Sequence, residues 1–201
     1  MVVERAILMC GGKGRRMRLP FRGVNEKPLV KVCGIRLVEH ALNALMDLRA
    51  MGLMDLKITA LYSMYTSGTG EFLKNFKKFL RRERVCEVEF EVIRTPGMGY
   101  VEDLMWYLQR YRVVFPVLVV STDLVFARNV LPDVLEYYAG CETPALSCVS
   151  ESGYMGINVV DGYFSVFCGG LQKESVMRVE GVFNVNTRED VYAVEKLLGE
   201  I

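Results

Sequence analysis

The feature that most constrains this chain is the run at residues 5–10, Arg-Ala-Ile-Leu-Met-Cys, which passes directly into Gly11-Gly12-Lys13-Gly14-Arg15-Arg16. A short, continuous apolar stretch stopped by glycines has the pattern of a strand buried on both faces of a parallel sheet. Residues 115–120 repeat the pattern and break at Ser121-Thr122-Asp123. Between and around these runs lie segments of helical spacing. Val38, Ala41, Leu42, Leu45 and Leu48 mark a helix over residues 35–50, with Gly52 as its stop. Helices are expected over 70–82, with a basic outer face, and over 99–111. Another is expected to start at a cap by Asn129 and run to about Tyr138. The last covers 189–198, opened by Thr187 and Asp190 in the manner of a capping box. Strands are expected at 57–62, 145–149 and 157–160. At 86–93 the alternation of apolar residues with glutamates marks an edge strand.

Strand and helix alternate through the first two thirds. The fold class predicted is therefore α/β, with a mostly parallel central sheet and helices on both faces. At 201 residues the chain suits one domain, 1–201. Such a domain buries roughly 70% of its unfolded surface, enough to fold without staples. Ligands of open parallel sheets sit beyond the carboxyl ends of strands. The glycine loop and Asp123 both fall at such ends.

Composition removes several function classes. A net charge of +1 offers no broad surface for nucleic acid. No apolar stretch approaches the ~20 residues of a membrane span, and the first residues do not read as a signal peptide. The six cysteines form no C-x-x-C pair and His40 is the sole histidine, so no zinc site is visible. Cysteines among apolar neighbours read as small buried hydrophobes in a reducing, cytoplasmic setting. His40 reads as a helix-face residue. The apolar helix faces could serve the core or a second subunit, leaving a homodimer open.

Glycines permit positive φ and let backbone N–H groups approach phosphate oxygens. Lys13, Arg15, Arg16 and Arg18 add charge to this loop, and Lys27 and Lys31 follow. The Walker pattern is absent, since no Gly-Lys-Ser/Thr follows. The dinucleotide fingerprint is absent too, because Met17 stands where its third glycine belongs. A glycine turn among solvated charges reads equally well. Asp123, just past an apolar strand, could reach a divalent cation or cap a turn. Magnesium takes one or two protein oxygens and leaves the remaining positions to water and phosphate. Asn184 and Asn186 alternate on one side of an extended segment and could add a neutral oxygen, or could serve a turn and cap.

Taken together, these segments resemble the nucleotidyltransferases of the molybdenum-cofactor guanylyltransferase type, whose loop of form A-G-G-x-G-x-R-M precedes a lysine before Pro-Leu or Gly-Leu. Here the loop is Cys10-Gly11-Gly12-Lys13-Gly14-Arg15-Arg16-Met17, with Glu26-Lys27-Pro28-Leu29 beyond it. Within that superfamily the chain is similar to the archaeal-type adenosylcobinamide-phosphate guanylyltransferases. The matching stretches are 97–104 (Gly-Met-Gly-Tyr-Val-Glu-Asp-Leu), Ser121-Thr122-Asp123-Leu124, Gly156-Ile157-Asn158-Val159-Val160 and Phe183-Asn184-Val185-Asn186-Thr187.

The resemblance implies a Rossmann-like nucleotidyltransferase that transfers GMP from GTP to a corrinoid phosphate with the help of Mg2+. It implies that Met9, Cys10, Gly11, Gly12, Lys13 and Gly14 hold the nucleotide, together with Gly97, Gly99 and Asp103. Lys27 and Arg16 would neutralise the triphosphate. Asp123 would hold the metal with Asn186 or Asn184, and Gly156 and Asn158 would face the acceptor. A phosphate monoester has its second pKa near ~6, so the attacking group is already an anion at neutral pH and needs no general base. Two rivals remain at this stage. One is a nucleotidyltransferase that forms a molybdopterin dinucleotide or a nucleotide sugar. The other is a non-catalytic module that binds GTP or a corrinoid.

Overall fold

The computed structural model describes residues 3–52, 57–82, 89–151, 153–168 and 173–199. In chain order its elements are β1 (Arg5–Met9), β2 (Lys31–Val32), β3 (Ile35–Arg36), α1 (Leu37–Ala50), β4 (Lys57–Tyr62), α2 (Ser67–Arg82) and β5 (Phe90–Arg94). There follow α3 (Tyr100–Arg110), β6 (Pro116–Ser121), β7 (Leu124–Phe126), α4 (Leu131–Ala139) and β8 (Ala145–Ser150). The last are β9 (Gly153–Asp161), α5 (Gly162–Phe167), β10 (Ser175–Arg178), β11 (Val182–Asn184) and α6 (Arg188–Gly199). Seven strands form one sheet in the order β10-β8-β9-β6-β1-β4-β5. All its pairings are parallel except those of β9, which runs antiparallel to β6 and β8.

Side chains of β1 alternate between two cores, as a strand buried on both faces requires. Ala6 and Leu8 meet α1, α2 and α4 through Val38, Leu45, Leu73 and Val134. Ile7 and Met9 meet α3 and its neighbour α5 on the other face, through Leu104, Leu108 and Val166. A third, smaller cluster lies away from the sheet. There Met17, Val30, Val125, Val185 and Val191 bring together the basic loop, β7, the segment after β11 and α6. That cluster positions the site.

Several expectations needed correction. The helix foreseen from residue 35 begins at Leu37, because Lys31–Val32 and Ile35–Arg36 first form a hairpin. The edge strand is β5, at the end of the sheet as anticipated, but its described part is 90–94 and residues 86–88 lie outside the described residues. The strand foreseen at 157–160 extends back to Gly153, through a bulge between Ser147 and Val149 of its partner. Cys10 and Cys148 are buried as read, whereas Cys33 and Cys168 are exposed and Cys141 is half-buried; Cys86 lies outside the described residues. His40 does sit on α1, where Nε2 meets the Val32 carbonyl at 3.1 Å. Asn129 accepts the Leu131 N–H (3.1 Å) and so caps α4. Among the described residues, no helix is long and apolar enough to cross a membrane.

Candidate active site

β1 and β6 are register partners, with Met9 opposite Ser121, so the glycine loop and the Ser121-Thr122-Asp123 turn leave the sheet side by side. Thr122 joins them by donating both its N–H (3.2 Å) and its hydroxyl (3.1 Å) to the Met9 carbonyl. Farther along the loop, the Gly11 carbonyl accepts the Ser63 hydroxyl at 2.8 Å. Gly14 is left-handed (φ 61°), and a Cβ there would lie 3.1 Å from Lys27 Cβ. Glycine thus lets the loop and the lysine segment approach each other closely. Met17 then anchors the loop in the third cluster. From α6, Arg188 donates to the carbonyls of Met17 (3.2 Å), Arg18 and Pro20 (2.9 Å).

Lys27 opens a single helical turn with Pro28 behind it. The preceding Glu26 accepts the N–H groups of Gly68 and Thr69, each at 2.7 Å, and the Thr69 hydroxyl at 2.6 Å. A carboxylate at the N-terminus of α2 satisfies orphan amides and favours the helix dipole. This contact fixes the backbone from which Lys27 projects. Its ammonium donates to Asp123 Oδ2 (2.9 Å) and to Asn186 Oδ1 (2.8 Å). Burial pulls the Lys27 pKa below its ordinary value, the Asp123 charge opposes that pull, and the nearby Arg16 charge adds to it.

Behind the lysine, side chains hold side chains. Ser121 donates to Asp123 Oδ1, while Asn186 Nδ2 donates to Asn184 Oδ1 at 2.7 Å. This second bond orients the amide of Asn186 so that its oxygen meets the lysine. The Asn186 and Thr187 N–H groups donate to Asp190 Oδ2 (2.7 and 2.8 Å), and Thr187 Oγ1 accepts the Asp190 N–H at 3.1 Å. The capping box read from the sequence is therefore formed. It rigidifies the turn that carries Asn186.

The opposite rim is the 95–100 segment. Asp103, on α3, is 3% exposed, and its carboxylate accepts from Gly97 N–H (3.0 Å), Met98 N–H (3.1 Å) and the Thr95 hydroxyl (2.8 Å). Tyr100 faces the same space and accepts from Asn158 Nδ2 at 3.4 Å. Although the residue is 39% exposed, desolvation of its hydroxyl and the Asp123 charge push the phenol above the ordinary range.

These walls enclose a cleft of about 490 Å³. Met9, Gly11, Gly12, Lys13, Gly14, Arg16, Lys27, Gly97, Gly99, Asp103, Asp123 and Asn186 all line it. Four other expected site residues do not. The Cys10 N–H is bonded to the Leu61 carbonyl (2.8 Å) and its thiol is buried, which leaves it no donor for a phosphate. Asn184 stands behind Asn186, and Asn158 behind Tyr100. Gly156 backs Ser121, where a Cβ would come within 2.9 Å of the serine Cβ. Asp103 touches the cleft, but its oxygens are taken up by its own loop. Arg15, Pro28, Met98, Tyr100, Ser121 and Thr122 join the lining. Arg15 was among the loop charges read from the sequence, and the other five lie inside the matching stretches without having been given a role.

Four of the lining side chains, Lys13, Arg15, Arg16 and Lys27, are cationic, against the carboxylates of Asp123, paired to Lys27, and Asp103, bonded into its own loop. The arrangement suits a polyphosphate. No family model matches the chain. The adenosylcobinamide-phosphate guanylyltransferase of Methanocaldococcus jannaschii is 30% identical to it over 213 aligned positions, covering 96% of each protein. The chain belongs to the adenosylcobinamide-phosphate guanylyltransferase family. Its fold is likewise that of nucleotidyltransferases. A UDP-glucose pyrophosphorylase solved with UDP-glucose superposes with a TM-score of 0.74 at 10% identity, over 99% of both chains. The inositol-1-phosphate CTP transferase of T. maritima gives 0.66 at 14% identity, over 100% of this chain and 98% of that one. At such identities the likeness concerns the fold alone. Membership of the adenosylcobinamide-phosphate guanylyltransferase family makes the protein a nucleotidyltransferase.

Proposed function

We propose that the protein transfers the GMP unit of GTP to the phosphate of adenosylcobinamide phosphate, releasing pyrophosphate, with magnesium as cofactor. The observation that carries this reading is the convergence of Asp123 (2.9 Å) and Asn186 (2.8 Å) on the Lys27 ammonium, in the cleft lined by the basic glycine loop. The M. jannaschii relative supplies the guanine nucleotide and the acceptor. The likeness of the loop to molybdenum-cofactor guanylyltransferases supports the same base.

An acceptor phosphate oxygen attacks the α-phosphorus of GTP, the bond from that phosphorus to the bridging oxygen breaks, and pyrophosphate departs with the electron pair. The nucleophile is anionic at neutral pH, so no proton has to be removed. The reaction then depends on in-line positioning and charge neutralisation. Loop N–H groups from Gly11 to Gly14, with Lys13 and Arg16, hold the triphosphate, and Lys27 neutralises the charge that shifts towards pyrophosphate. The 97–100 backbone, held in shape by Asp103, lies against the base and ribose.

A divalent metal fits the residues present. One carboxylate oxygen and one amide oxygen already share a single cation, the Lys27 ammonium, and hard oxygens in that number are what magnesium takes from a protein. Asp123 and Asn186 would hold it, with Asn184 orienting the amide. When bound, magnesium supplies charge stabilisation to the phosphoryl oxygens. A reducing cytoplasm suits thiols such as those of Cys10 and Cys148, buried among apolar side chains.

The test is pyrophosphate release from GTP and Mg2+ by the purified protein, with adenosylcobinamide phosphate, molybdopterin or a sugar phosphate as acceptor. Release is expected with the corrinoid and not with the other two. Turnover of molybdopterin or a sugar phosphate in its place would reassign the acceptor. GTP binding without release on any acceptor would favour a non-catalytic module.

A further inference from the structure

A second hollow, of about 510 Å³, opens beside the first, and none of the roles above uses it. Its place in the sheet is informative. β8 is antiparallel to β9, which is antiparallel to β6, so β8 and its parallel partner β10 run in the same direction as β6 and β1. The hollow lies at the carboxyl ends of β8 and β10, at Ser150 and Arg178, just as the cleft lies at the carboxyl ends of β1 and β6. Both therefore open along one end of the sheet, the end at which ligands of such folds collect.

The partition between them is thin. Asn186 lines the cleft, Asn184 lines the hollow, and the two amides are bonded to each other at 2.7 Å. A ligand whose phosphate reaches Asn186 from outside the nucleotide cleft extends past Asn184 into the hollow. The floor there is apolar, made of Val179, Val182 and Val194, each at most 6% exposed. The rim carries Arg178, paired to Glu151 at 2.8 Å.

A cleft of about 490 Å³ is of a size for one small ligand. In-line displacement brings only the phosphate of the acceptor to the α-phosphorus, and the rest of the acceptor must lie elsewhere. A corrinoid is a broad ring that carries methyl groups and neutral amides. Methyl groups suit the valine floor. Amides can donate to a carboxylate and accept from a guanidinium, and the Glu151–Arg178 rim presents both.

We propose that the hollow between the carboxyl end of β8, the segment before β11 and helix α6 is the seat of the corrinoid end of the acceptor. This rests on the function proposed above and adds to it where the body of the second substrate binds. Asn184 then serves both sides: it orients the amide of Asn186 and marks the threshold that the acceptor crosses.

Ala193 of α6 is exposed and lines the hollow, so an indole at that position fills it without entering the core. With GTP, Mg2+ and adenosylcobinamide phosphate, Ala193→Trp is expected to raise the acceptor KM by about tenfold or more and to leave the GTP KM within about twofold. Arg178→Ala is a surface change that breaks an exposed ion pair of little structural worth. It is expected to raise the acceptor KM by about three- to fivefold, again without moving the GTP KM, and it keeps the test open if the tryptophan variant fails to fold. Wild-type acceptor KM in the folded variants, with an active parent, overturns the seat alone. An inactive parent overturns the acceptor, and the seat with it.

Discussion

Beyond β1 the cleft is walled by main chain, from Gly11 to Gly14, and its opposite rim at 97–99 is built in the same way. Elsewhere it is walled by side chains, with Asp123, Lys27 and Asn186 linked in series by hydrogen bonds and Asn184 bonded behind Asn186. The first construction gives many donors at fixed spacing, and no single side chain supplies them. Its shape comes from supports outside the lining or turned away from it: Ser63 on the Gly11 carbonyl, Arg188 on the loop carbonyls, Asp103 on the rim amides. The second gives one charge and two oxygens, each the property of one residue. Substitutions should therefore separate the two walls. Changes on the side-chain wall lower kcat, and changes to the supports of the main-chain wall raise the KM for GTP.

The largest effect is expected on the side-chain wall. Asp123→Ala removes the carboxylate that faces Lys27, and loss of one preorganised charged group lowers kcat by about 10²–10³. Lys27→Ala should fall in the same range. Because the two groups are bonded, the double variant should cost little more than either single one. Steady-state kinetics on the three proteins decides this. Multiplicative losses would mean that Lys27 and Asp123 act independently, and near-parental kcat in Asp123→Ala would take that residue out of the chemistry.

A smaller effect belongs to Asn184, which reaches the cleft only through Asn186. Asn184→Ala frees the Asn186 amide to turn its nitrogen towards Lys27. Partners that orient a metal-binding side chain are typically worth about 10- to 100-fold in metal affinity or activity. Manganese titration in the presence of GTP should show the loss directly. Asn184→Asp keeps an oxygen at the bonding position and should recover part of it. Equal manganese affinity in the parent and the alanine variant would mean that Asn186 holds its orientation unaided.

The linings of both walls were legible in the sequence, the glycine loop first, while most of the supports behind them were not. Asp123 follows an apolar strand, Lys27 stands before Pro-Leu, and Thr187 with Asp190 spells a cap within four residues. Each is a local signal, and the strands and helices that carry them have clear periods. The supports are not local. Ser63 meets Gly11 across 52 residues, Glu26 meets Gly68 across 42, and Arg188 meets Met17 across 171. No spacing rule connects such pairs. β7 and β11 escaped for a related reason. They are three residues each, too short for a period, and they exist by pairing with one another. Cys10 illustrates the reverse case. Its place in the motif implied that its backbone helps hold the nucleotide, yet its amide is already committed to the neighbouring strand β4. Sequence reports which groups are present and says little about which are already bonded.

Asp103 tests the main-chain wall, and the effect expected there is the smallest. Its carboxylate is nearly inaccessible and holds two rim amides and a hydroxyl. Asp103→Ala leaves those donors without a partner. A buried polar group so orphaned costs about 1–3 kcal/mol, although water entering from the cleft will recover part of it. For a chain of this size each kcal/mol lowers Tm by about 2–4 °C. If Asp103 acts only by shaping the rim, the GTP KM should rise by about tenfold or less while kcat stays within about twofold of the parent. Asp103→Asn retains one oxygen for the Gly97 and Met98 amides and an NH2 that can donate to Thr95, so it should restore most of the lost GTP affinity. A fall in kcat at saturating GTP, unrepaired by asparagine, would instead place the Asp103 charge in the reaction and erase the division between the two walls.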